Sequence, residues 1–337
     1  HPAPCTLHPA PCPLHPAPSR SMNDNSGTQS EWLVSIEQGG MRLDQVLAVV
    51  WPDYSRAFFQ KCIAEGRVFL NSSPSSCSQR IKPGDRILVH WPEPVCEELL
   101  AENIPLDILR EDADILVLNK PPGLVVHPGS GNTTGTLVQG LLFHDEEAFG
   151  TMDAENLRPG IVHRLDKDTS GVLVVAKNAE AAASLKESFK SRHTEKTYLT
   201  VAIGSFQQVS GEISGAIGRS PRNRRKMAVV PDGGKPALTR YRVLAEANAC
   251  SLLEVQILTG RTHQIRVHLA SIHHPVLGDA LYGGRPARMP FLPTRQLLHA
   301  WKLSFPHPKT GNIIHCKAPP PQDFSEALAT LGLKYIF

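Results

Sequence analysis

Residues 160–177 read GIVHRLDKDTSGVLVVAK and form the most informative segment of this 337-residue chain. A polar cluster with charges of both signs, residues 163–171, leads into an aliphatic run that predicts a buried strand over residues 172–176. A Thr-Ser-Gly turn beside such charges is typical of a rigid loop whose side chains are held by local hydrogen bonds. A surface loop with fully solvated charges explains the same residues at least as well, so the segment alone leaves both interpretations open.

Strands and helices alternate irregularly on both sides of this segment. Further strands are predicted at residues 115–119, 124–127, 197–203, 241–244 and 252–258, and helices after Asn178 and at residues 262–271. Because no regular strand–helix–strand repeat is present, the pattern favours an α+β domain with a mixed, largely antiparallel sheet and flanking helices.

A smaller α/β unit is predicted ahead of this domain, at residues 31–92. Helices are expected at residues 41–50 and 56–65, the second capped by Ser55, and short strands at residues 67–71 and 86–91. A module of about 60 residues is near the small end of what folds alone. Its arginines and lysine either solvate a surface or bind an anionic partner, and the module alone does not separate the two.

The N-terminal end carries the proline-rich repeat HPAPCTL-HPAPCPL-HPAP. Proline at this density lacks backbone donors, so residues 1–30 are predicted to be an extended, disordered leader. Deleting it is expected to change neither folding nor activity, and a His-rich metal-binding repeat is the alternative. The acidic, proline-bracketed residues 93–105 predict a linker, which leaves residues 106–337 as the main domain.

Composition excludes several classes of protein. Hydrophobic residues at 41% and charged residues at 20% exclude a wholly disordered chain, and no apolar run approaches the roughly 18 residues of a membrane span. Seven scattered cysteines without a C-x-x-C pair disfavour disulfides and a cysteine zinc site, and predict a reducing, cytoplasmic compartment. The 15 histidines include no H-E-x-x-H cluster, so neither metal nor cofactor is expected.

The polar segment resembles the signature of the RluA-type pseudouridine synthases, H-R-L-D-x-x-T-S-G followed by an aliphatic strand. The other family blocks follow in order, at residues 119–128 (NKPPGLVVHP), 196–198 (KTY), 259–268 (TGRTHQIRVH), 274–279 (HPVLGD) and 282–284 (YGG). Residues 31–92 resemble the S4 RNA-binding domain through R-L-D-x-x-L, S-R, G-R-V-x-x-N and K-x-G-D. The resemblance implies an isomerase that converts uridine to pseudouridine in RNA. Within the family it is closest to the synthases of large-subunit rRNA, which implies that rRNA as the substrate.

This resemblance assigns roles to particular residues. Asp166 aligns with the family's catalytic aspartate, which must be ionised to attack and therefore needs a neighbouring cation in a closed pocket. Arg266 is the implied cation, and Arg261 is the rival for that position. Tyr198 matches a tyrosine that stacks on uracil and assists proton removal from C5. Arg164 matches the arginine that fills the space left by a flipped base.

RNA binding is predicted from cations outside the pocket. The run RSPRNRRK at residues 219–226 contains five cations and no acid, which in an RNA enzyme indicates a phosphate clamp. His163 and Asp168 are expected to support their loop rather than to act in catalysis. The expected RNA-binding residues are Arg42, Arg56, Lys61, Arg67, Arg219, Arg222, Arg224, Arg225, Lys226 and Arg261.

The expected protein is a monomeric cytoplasmic enzyme whose partner is structured RNA, in rRNA or a pre-ribosomal particle. A tRNA-directed synthase of the same family is the first alternative. A non-catalytic RNA-binding or ribosome-assembly factor is disfavoured by the intact Asp166, Tyr198 and Arg266, and a glycoside hydrolase by the missing second carboxylic acid. The sequence leaves open whether Asp166 attacks ribose C1′, attacks uracil C6 or removes a ribose proton.

Overall fold

The computed structural model describes residues 29–92, 99–129, 132–150, 152, 158–223, 226–285 and 291–336. The chain divides into two compact units, residues 1–98 and residues 99–337. Nearly all of the predicted leader, residues 1–28, and the first part of the predicted linker, residues 93–98, lie outside the described residues. No helix within the described ranges is long and apolar enough to cross a membrane.

The first unit combines two helices with a four-stranded antiparallel sheet of order β1-β4-β2-β3. Ser55 begins the second helix, since its Oγ accepts a hydrogen bond from the Phe58 N–H at 3.2 Å, and this agrees with the predicted cap. One apolar core joins both helices to the sheet. The elements are β1 (Gln29–Leu33), a 3-10 turn (Ile36–Gln38), α1 (Leu43–Val50), α2 (Arg56–Ala64), β2 (Val68–Leu70), β3 (Ser73–Pro74) and β4 (Arg86–His90).

Strand β1 begins inside the segment predicted to be a disordered leader. Gln29 pairs with His90, and Ser30 pairs with Val89. The Ser30 Oγ also accepts a hydrogen bond from the Trp91 indole N–H at 2.8 Å. The boundary predicted at residue 30 was therefore too late, because these residues form sheet hydrogen bonds that a proline-rich stretch cannot form.

Two truncations test this boundary. Removing residues 1–30 deletes the Ser30 partner of Trp91 and shortens β1, so we expect the first unit to lose about 1 kcal/mol of its free energy of unfolding. For a domain of this size that loss lowers the melting temperature by about 4–8 °C. Removing residues 1–27 keeps β1 and is expected to leave the melting temperature unchanged. Thermal unfolding followed by circular dichroism measures both, and equal melting temperatures would contradict the β1 assignment.

The second unit is built on a ten-stranded sheet of order β10-β9-β11-β12-β8-β13-β7-β6-β5, with β14 paired to β13. Its ladders are antiparallel except that between β13 and β7, which is parallel. The strands are β5 (Ile108–Glu111), β6 (Ile115–Lys120), β7 (Ser170–Ala176), β8 (Glu195–Ile203), β9 (Ser210–Arg219), β10 (Met227–Val229), β11 (Lys235–Ala247), β12 (Cys250–Ile257), β13 (Leu298–Pro306) and β14 (Ile313–Lys317).

Helices flank this sheet, so the predicted α+β class with a mixed, largely antiparallel sheet is confirmed. Asn178 caps the longest of them as expected, with its Oδ1 accepting a hydrogen bond from the Ala181 N–H at 2.8 Å. The helices are α3 (Leu137–His144), α4 (Glu146–Gly150), α5 (Ala179–Lys190), α6 (Gln264–Ser271) and α7 (Gln322–Leu331).

The strand predicted at residues 124–127 was wrong. Only an isolated bridge from Val125 to Thr136 is present there. The carbonyls of Val125 and Val126 accept hydrogen bonds from the first N–H groups of α3, at 2.8 and 3.1 Å. These apolar residues, Val126 buried and Val125 half-buried, thus pack at the start of a helix, and periodicity alone does not separate that environment from a sheet.

Candidate active site

The side chains predicted to carry the chemistry lie together where a loop, a strand and a helix of the second unit meet. Asp166 lies in the loop before β7, Tyr198 on β8 and Arg266 on α6. They line one pocket of about 480 Å³, together with Arg164 and His263. The structure thus brings together the four residues predicted to act on the base, although Asp166 and Arg266 are 100 residues apart in the chain.

Arg266 bridges two carboxylates. Its Nη1 donates to Asp166 Oδ2 at 2.8 Å, while its Nε and Nη2 donate to the two oxygens of Asp279 at 2.6 and 3.0 Å. Burial alone would lower the pKa of the Arg266 guanidinium, but the hydrogen bonds and charge of Asp279, and then Asp166, raise it above its usual value. Arg266 is therefore a fixed cation beside Asp166. The Asp166 side chain is 21% exposed.

Asp279 is the anchor that orients this guanidinium. It is fully buried, and its Oδ1 also accepts hydrogen bonds from the N–H groups of Leu281 and Tyr282, at 2.9 and 3.1 Å. Its two oxygens occupy one edge of Arg266 and leave Nη1 for Asp166. Asp279 was part of a matched sequence block but was given no role in the sequence analysis, because its contact with α6 exists only in the folded chain.

Two buried basic side chains hold the backbone directly after Asp166. We call residues 166–169 the Asp166 turn, which is closed by a 3.1 Å hydrogen bond from the Thr169 N–H to the Asp166 carbonyl. Lys120 Nζ donates to the Lys167 carbonyl at 3.0 Å. Arg295 Nη1 donates to the Asp168 carbonyl at 3.0 Å, and its other edge binds Asp323 of α7 at 2.6 and 2.9 Å. Two consecutive carbonyls are thereby fixed.

Tyr198 lies beside Asp166 as a neutral phenol. Burial, and then the negative charge of Asp166, raise the pKa of Tyr198 above its usual value. The ring is therefore available for stacking, and the hydroxyl keeps its proton at neutral pH. It can pass a proton on when it receives one, but it is not a ready-made phenolate base.

His263, which contacts Tyr282, also lies near the Asp166 carboxylate, and the sequence analysis missed this. Tyr282 Oη accepts a hydrogen bond from the Met227 N–H at 2.9 Å and lies 2.8 Å from His263 Nδ1. Burial lowers the pKa of His263 and raises that of Tyr282, so the phenol donates to the neutral imidazole. The His263 proton then lies on Nε2, which is 3.9 Å from Asp166 Oδ2.

The neighbouring predicted residues divide into pocket and support positions. Arg164 is exposed at the pocket, whereas His163 accepts a 3.0 Å hydrogen bond from the Val174 N–H and stacks on Phe189 at 4.6 Å. Burial, and then the charge of Lys196, lower the pKa of His163 to about 3, which suits a structural role. Arg261 lines the pocket but donates to the Pro236 carbonyl at 3.2 Å; the cation on Asp166 is Arg266.

The predicted RNA-binding cations of the first unit all have acidic partners. Arg42 and Arg56 share the fully buried Asp44 at 3.0 and 2.8 Å. Burial would raise the pKa of Asp44, but hydrogen bonds from Arg42, Gln60 and Arg56 lower it to about 2. The other two, Lys61 and Arg67, share Glu65 at 3.8 and 3.0 Å. Each of these four predicted cations therefore has a carboxylate within 4 Å that partly neutralises its charge.

The basic run of the second unit connects β9 to β10, which pair as an antiparallel hairpin. Arg219 ends β9, Arg222 is exposed in the connection, and Lys226 is partly buried before β10. Arg224 and Arg225 lie outside the described residues. The described residues of the run thus lie beside the β9–β10 ladder, at one edge of the sheet.

Among the residues that the structure describes, one group of side chains has the spacing of a metal site, namely Asp112, Asp114 and His307, whose ligand atoms lie within 4.8 Å of one another. His307 Nδ1 accepts hydrogen bonds from the Lys309 and Thr310 N–H groups, both at 3.2 Å, so Nε2 carries the proton and donates to Asp112 Oδ2 at 3.3 Å. With both ring nitrogens occupied, this group is a hydrogen-bonded turn support.

Comparisons with known proteins agree on one class. A family model described as RNA pseudouridylate synthase matches residues 114–271. The chain is 43% identical to a Bacillus subtilis protein named uncharacterized RNA pseudouridine synthase YlyB, over 90% of this chain and 98% of that protein. It is 44% identical to ribosomal large subunit pseudouridine synthase D of Neisseria meningitidis serogroup A, over 89% of this chain and 81% of that protein.

Solved structures of the same class share the fold. Human RNA pseudouridylate synthase domain containing 1 matches with a TM-score of 0.52 and 30% identity, over 69% of this chain and 96% of that one. Human RNA pseudouridylate synthase domain containing 4 matches with a TM-score of 0.53 and 28% identity, over 68% of this chain and 94% of that one.

Proposed function

This chain belongs to the RNA pseudouridine synthase family, whose members are isomerases, and from that premise we propose that it converts specific uridines of large-subunit rRNA to pseudouridine. The rRNA substrate is supported by 44% identity to relatives named ribosomal large subunit pseudouridine synthase D. We further propose that it acts as a monomer in the cytoplasm, on rRNA or a pre-ribosomal particle.

The observation that carries the proposed chemistry is the Asp166–Arg266 pair, in which Asp279 orients the Arg266 guanidinium. Pseudouridine formation breaks the bond from ribose C1′ to uracil N1, turns the base and joins C1′ to C5. A proton leaves C5 and one arrives at N1, so the reaction needs no redox partner and no energy source. Attack at C1′, attack at C6 and removal of a ribose proton all require an ionised carboxylate, and Arg266 donates a hydrogen bond to Asp166 Oδ2 at 2.8 Å.

Tyr198 and Arg164 are proposed to act on the base itself. The Tyr198 ring stacks on uracil. Its hydroxyl relays the C5 proton once a neighbouring proton acceptor can take the proton of the phenol. Arg164 is exposed at the pocket, where its guanidinium can fill the stack that a flipped uridine leaves. His263 Nε2 faces the same Asp166 oxygen as Arg266 and can stabilise its charge as the base reorients.

Mapping of pseudouridine in rRNA and tRNA from cells that lack the protein tests the substrate. We expect particular large-subunit rRNA positions to lose pseudouridine and to regain it when the wild-type gene returns. A gene carrying Asp166→Asn is the matched control and is expected not to restore them. Loss confined to tRNA would overturn the rRNA proposal and favour the tRNA alternative.

The hairpin connection, residues 220–226, is proposed to bind RNA phosphates. Replacing Arg222, Arg224 and Arg225 by Gln is expected to lower RNA affinity at all sites, because phosphate contacts carry no sequence information. The log–log dependence of affinity on salt should become shallower by about one unit for each lost contact.

The control variant replaces Arg240 and Arg242, two cations on β11 that pair with Glu212 and Glu254 at 2.9 Å. Affinity titrations across salt concentrations compare both variants with the wild type. A hairpin variant whose affinity has the wild-type dependence on salt would contradict the phosphate clamp. An equal change of this dependence in the control would show a general charge effect instead.

A further inference from the structure

Lys196 is a buried cation in the active-site pocket without an acidic partner. It lies two residues before Tyr198 in β8, and because side chains alternate along a strand, both project from the same face. Both residues also line the pocket that contains Asp166. Only 9% of Lys196 is exposed.

Within the described ranges, the Lys196 side chain makes neither a hydrogen bond nor an ion pair. Its Nζ lies over the Phe189 ring, 5.6 Å from the centroid. Burial, and then the charge of Arg192, lower the pKa of Lys196. An ammonium has three donors, and leaving them unpaired in a buried position is unfavourable unless another group satisfies them.

The surrounding pocket wall adds further positive charge. Lys190 and Arg192, at the connection from α5 to β8, line the same pocket, and Arg192 adopts a left-handed conformation with φ of 63°. Lys190 has a distant partner in Glu187 at 3.7 Å. The one acid among the lining residues is Asp166, which is already paired with Arg266.

An anion therefore fits this side of the pocket. Uracil and ribose are neutral, so the anionic part of an RNA substrate is its phosphodiester backbone. A nucleotide that has left the stack brings its own flanking phosphates towards the pocket. A lysine acts on phosphate as a point charge with adjustable donors.

We propose that Lys196, together with Arg192, forms a subsite for the phosphodiester next to the flipped uridine. This proposal rests on the proposed function and adds a substrate contact to it. The subsite fixes the backbone of the target nucleotide, while Asp166 and Tyr198 act on its sugar and base.

The test combines a protein change with a matching RNA change. Lys196→Met keeps the length of the side chain and removes the charge. Stem-loop RNAs carry one neutral methylphosphonate, placed on the 5′ or the 3′ side of the target uridine. On normal RNA, we expect Lys196→Met to raise KM by about tenfold or more with a smaller effect on kcat, and to reduce the salt slope by about 0.7–0.9. Lys196→Arg should recover most of the affinity.

The two changes should not add. One of the two methylphosphonates should weaken wild-type binding but not weaken Lys196→Met further. Lys186→Met is the control, because Lys186 is exposed on α5 and is not among the residues lining this pocket. Additive effects at both phosphates, or a variant with lower kcat at unchanged KM and slope, would overturn the subsite.

Thermal unfolding separates binding from support. Replacing an unpaired buried ammonium by Met is expected to leave the melting temperature of the free protein unchanged or to raise it. A lower melting temperature would instead mean that the ammonium supports the fold, and would also overturn the proposal. A wild-type protein without isomerase activity would contradict the proposed function itself, which distinguishes the two failures.

Discussion

Asp166→Asn is expected to reduce kcat for pseudouridine formation by on the order of 10⁴-fold or more while leaving RNA affinity within about threefold of the wild type. The amide keeps the shape of the side chain but can neither attack carbon nor accept a proton. The fold should be unaffected, because Arg266 keeps its two hydrogen bonds to Asp279.

Release of tritium from 5-tritiated uridine in rRNA fragments measures the reaction, and gel-shift titration measures binding. The control is Asp168→Asn, the same change two residues along the Asp166 turn, where the backbone carbonyl rather than the side chain contacts Arg295. It should keep most of the activity. Substantial turnover by Asp166→Asn would remove the catalytic assignment.

Arg266→Met is expected to abolish turnover and also to lower the free energy of unfolding by about 3–5 kcal/mol, because it leaves the buried Asp279 carboxylate without its cation. A second change separates these effects. The double variant Arg266→Met/Asp279→Leu removes both buried charges, so it should regain much of the lost stability. It should stay inactive, because Asp166 still lacks its cation.

Denaturant unfolding and tritium release measure the two quantities on the same preparations. Arg242→Met is the control, since the exposed ion pair of Arg242 with Glu254 should cost less than about 1 kcal/mol. A double variant that regains activity with its stability would show that Arg266 has only a structural role.

Local signals account for the elements that the sequence predicted well. Ser55 and Asn178 each begin a helix through a side-chain cap, and such caps depend on three or four neighbouring residues. The aliphatic run of β7 is buried along its whole length, which a continuous apolar stretch indicates. The strands β9, β13 and β14 were not predicted, because their residues lack a clear alternation and are fixed by pairing with distant strands.

Only the site residues that lie in the matched sequence blocks could be given a role from the sequence. Those blocks contain Asp166, Tyr198 and Arg266, which converge on one pocket. No local pattern shows that Asp279 anchors Arg266, because that contact depends on how the loop after α6 returns to the helix. The acid partners of the first unit were also overlooked, although Asp44 stands two residues after Arg42 in the same motif.

The contacts of Arg295 connect the Asp166 turn to helix α7. Arg295 lies 127 residues after Asp168 in the chain, and Asp323 of α7 lies a further 28 residues on. Without α7, the Arg295 guanidinium would lose the carboxylate of Asp323 that orients it towards the Asp168 carbonyl. A change in α7 is therefore expected to alter the geometry of Asp166, although no residue of α7 lines the pocket.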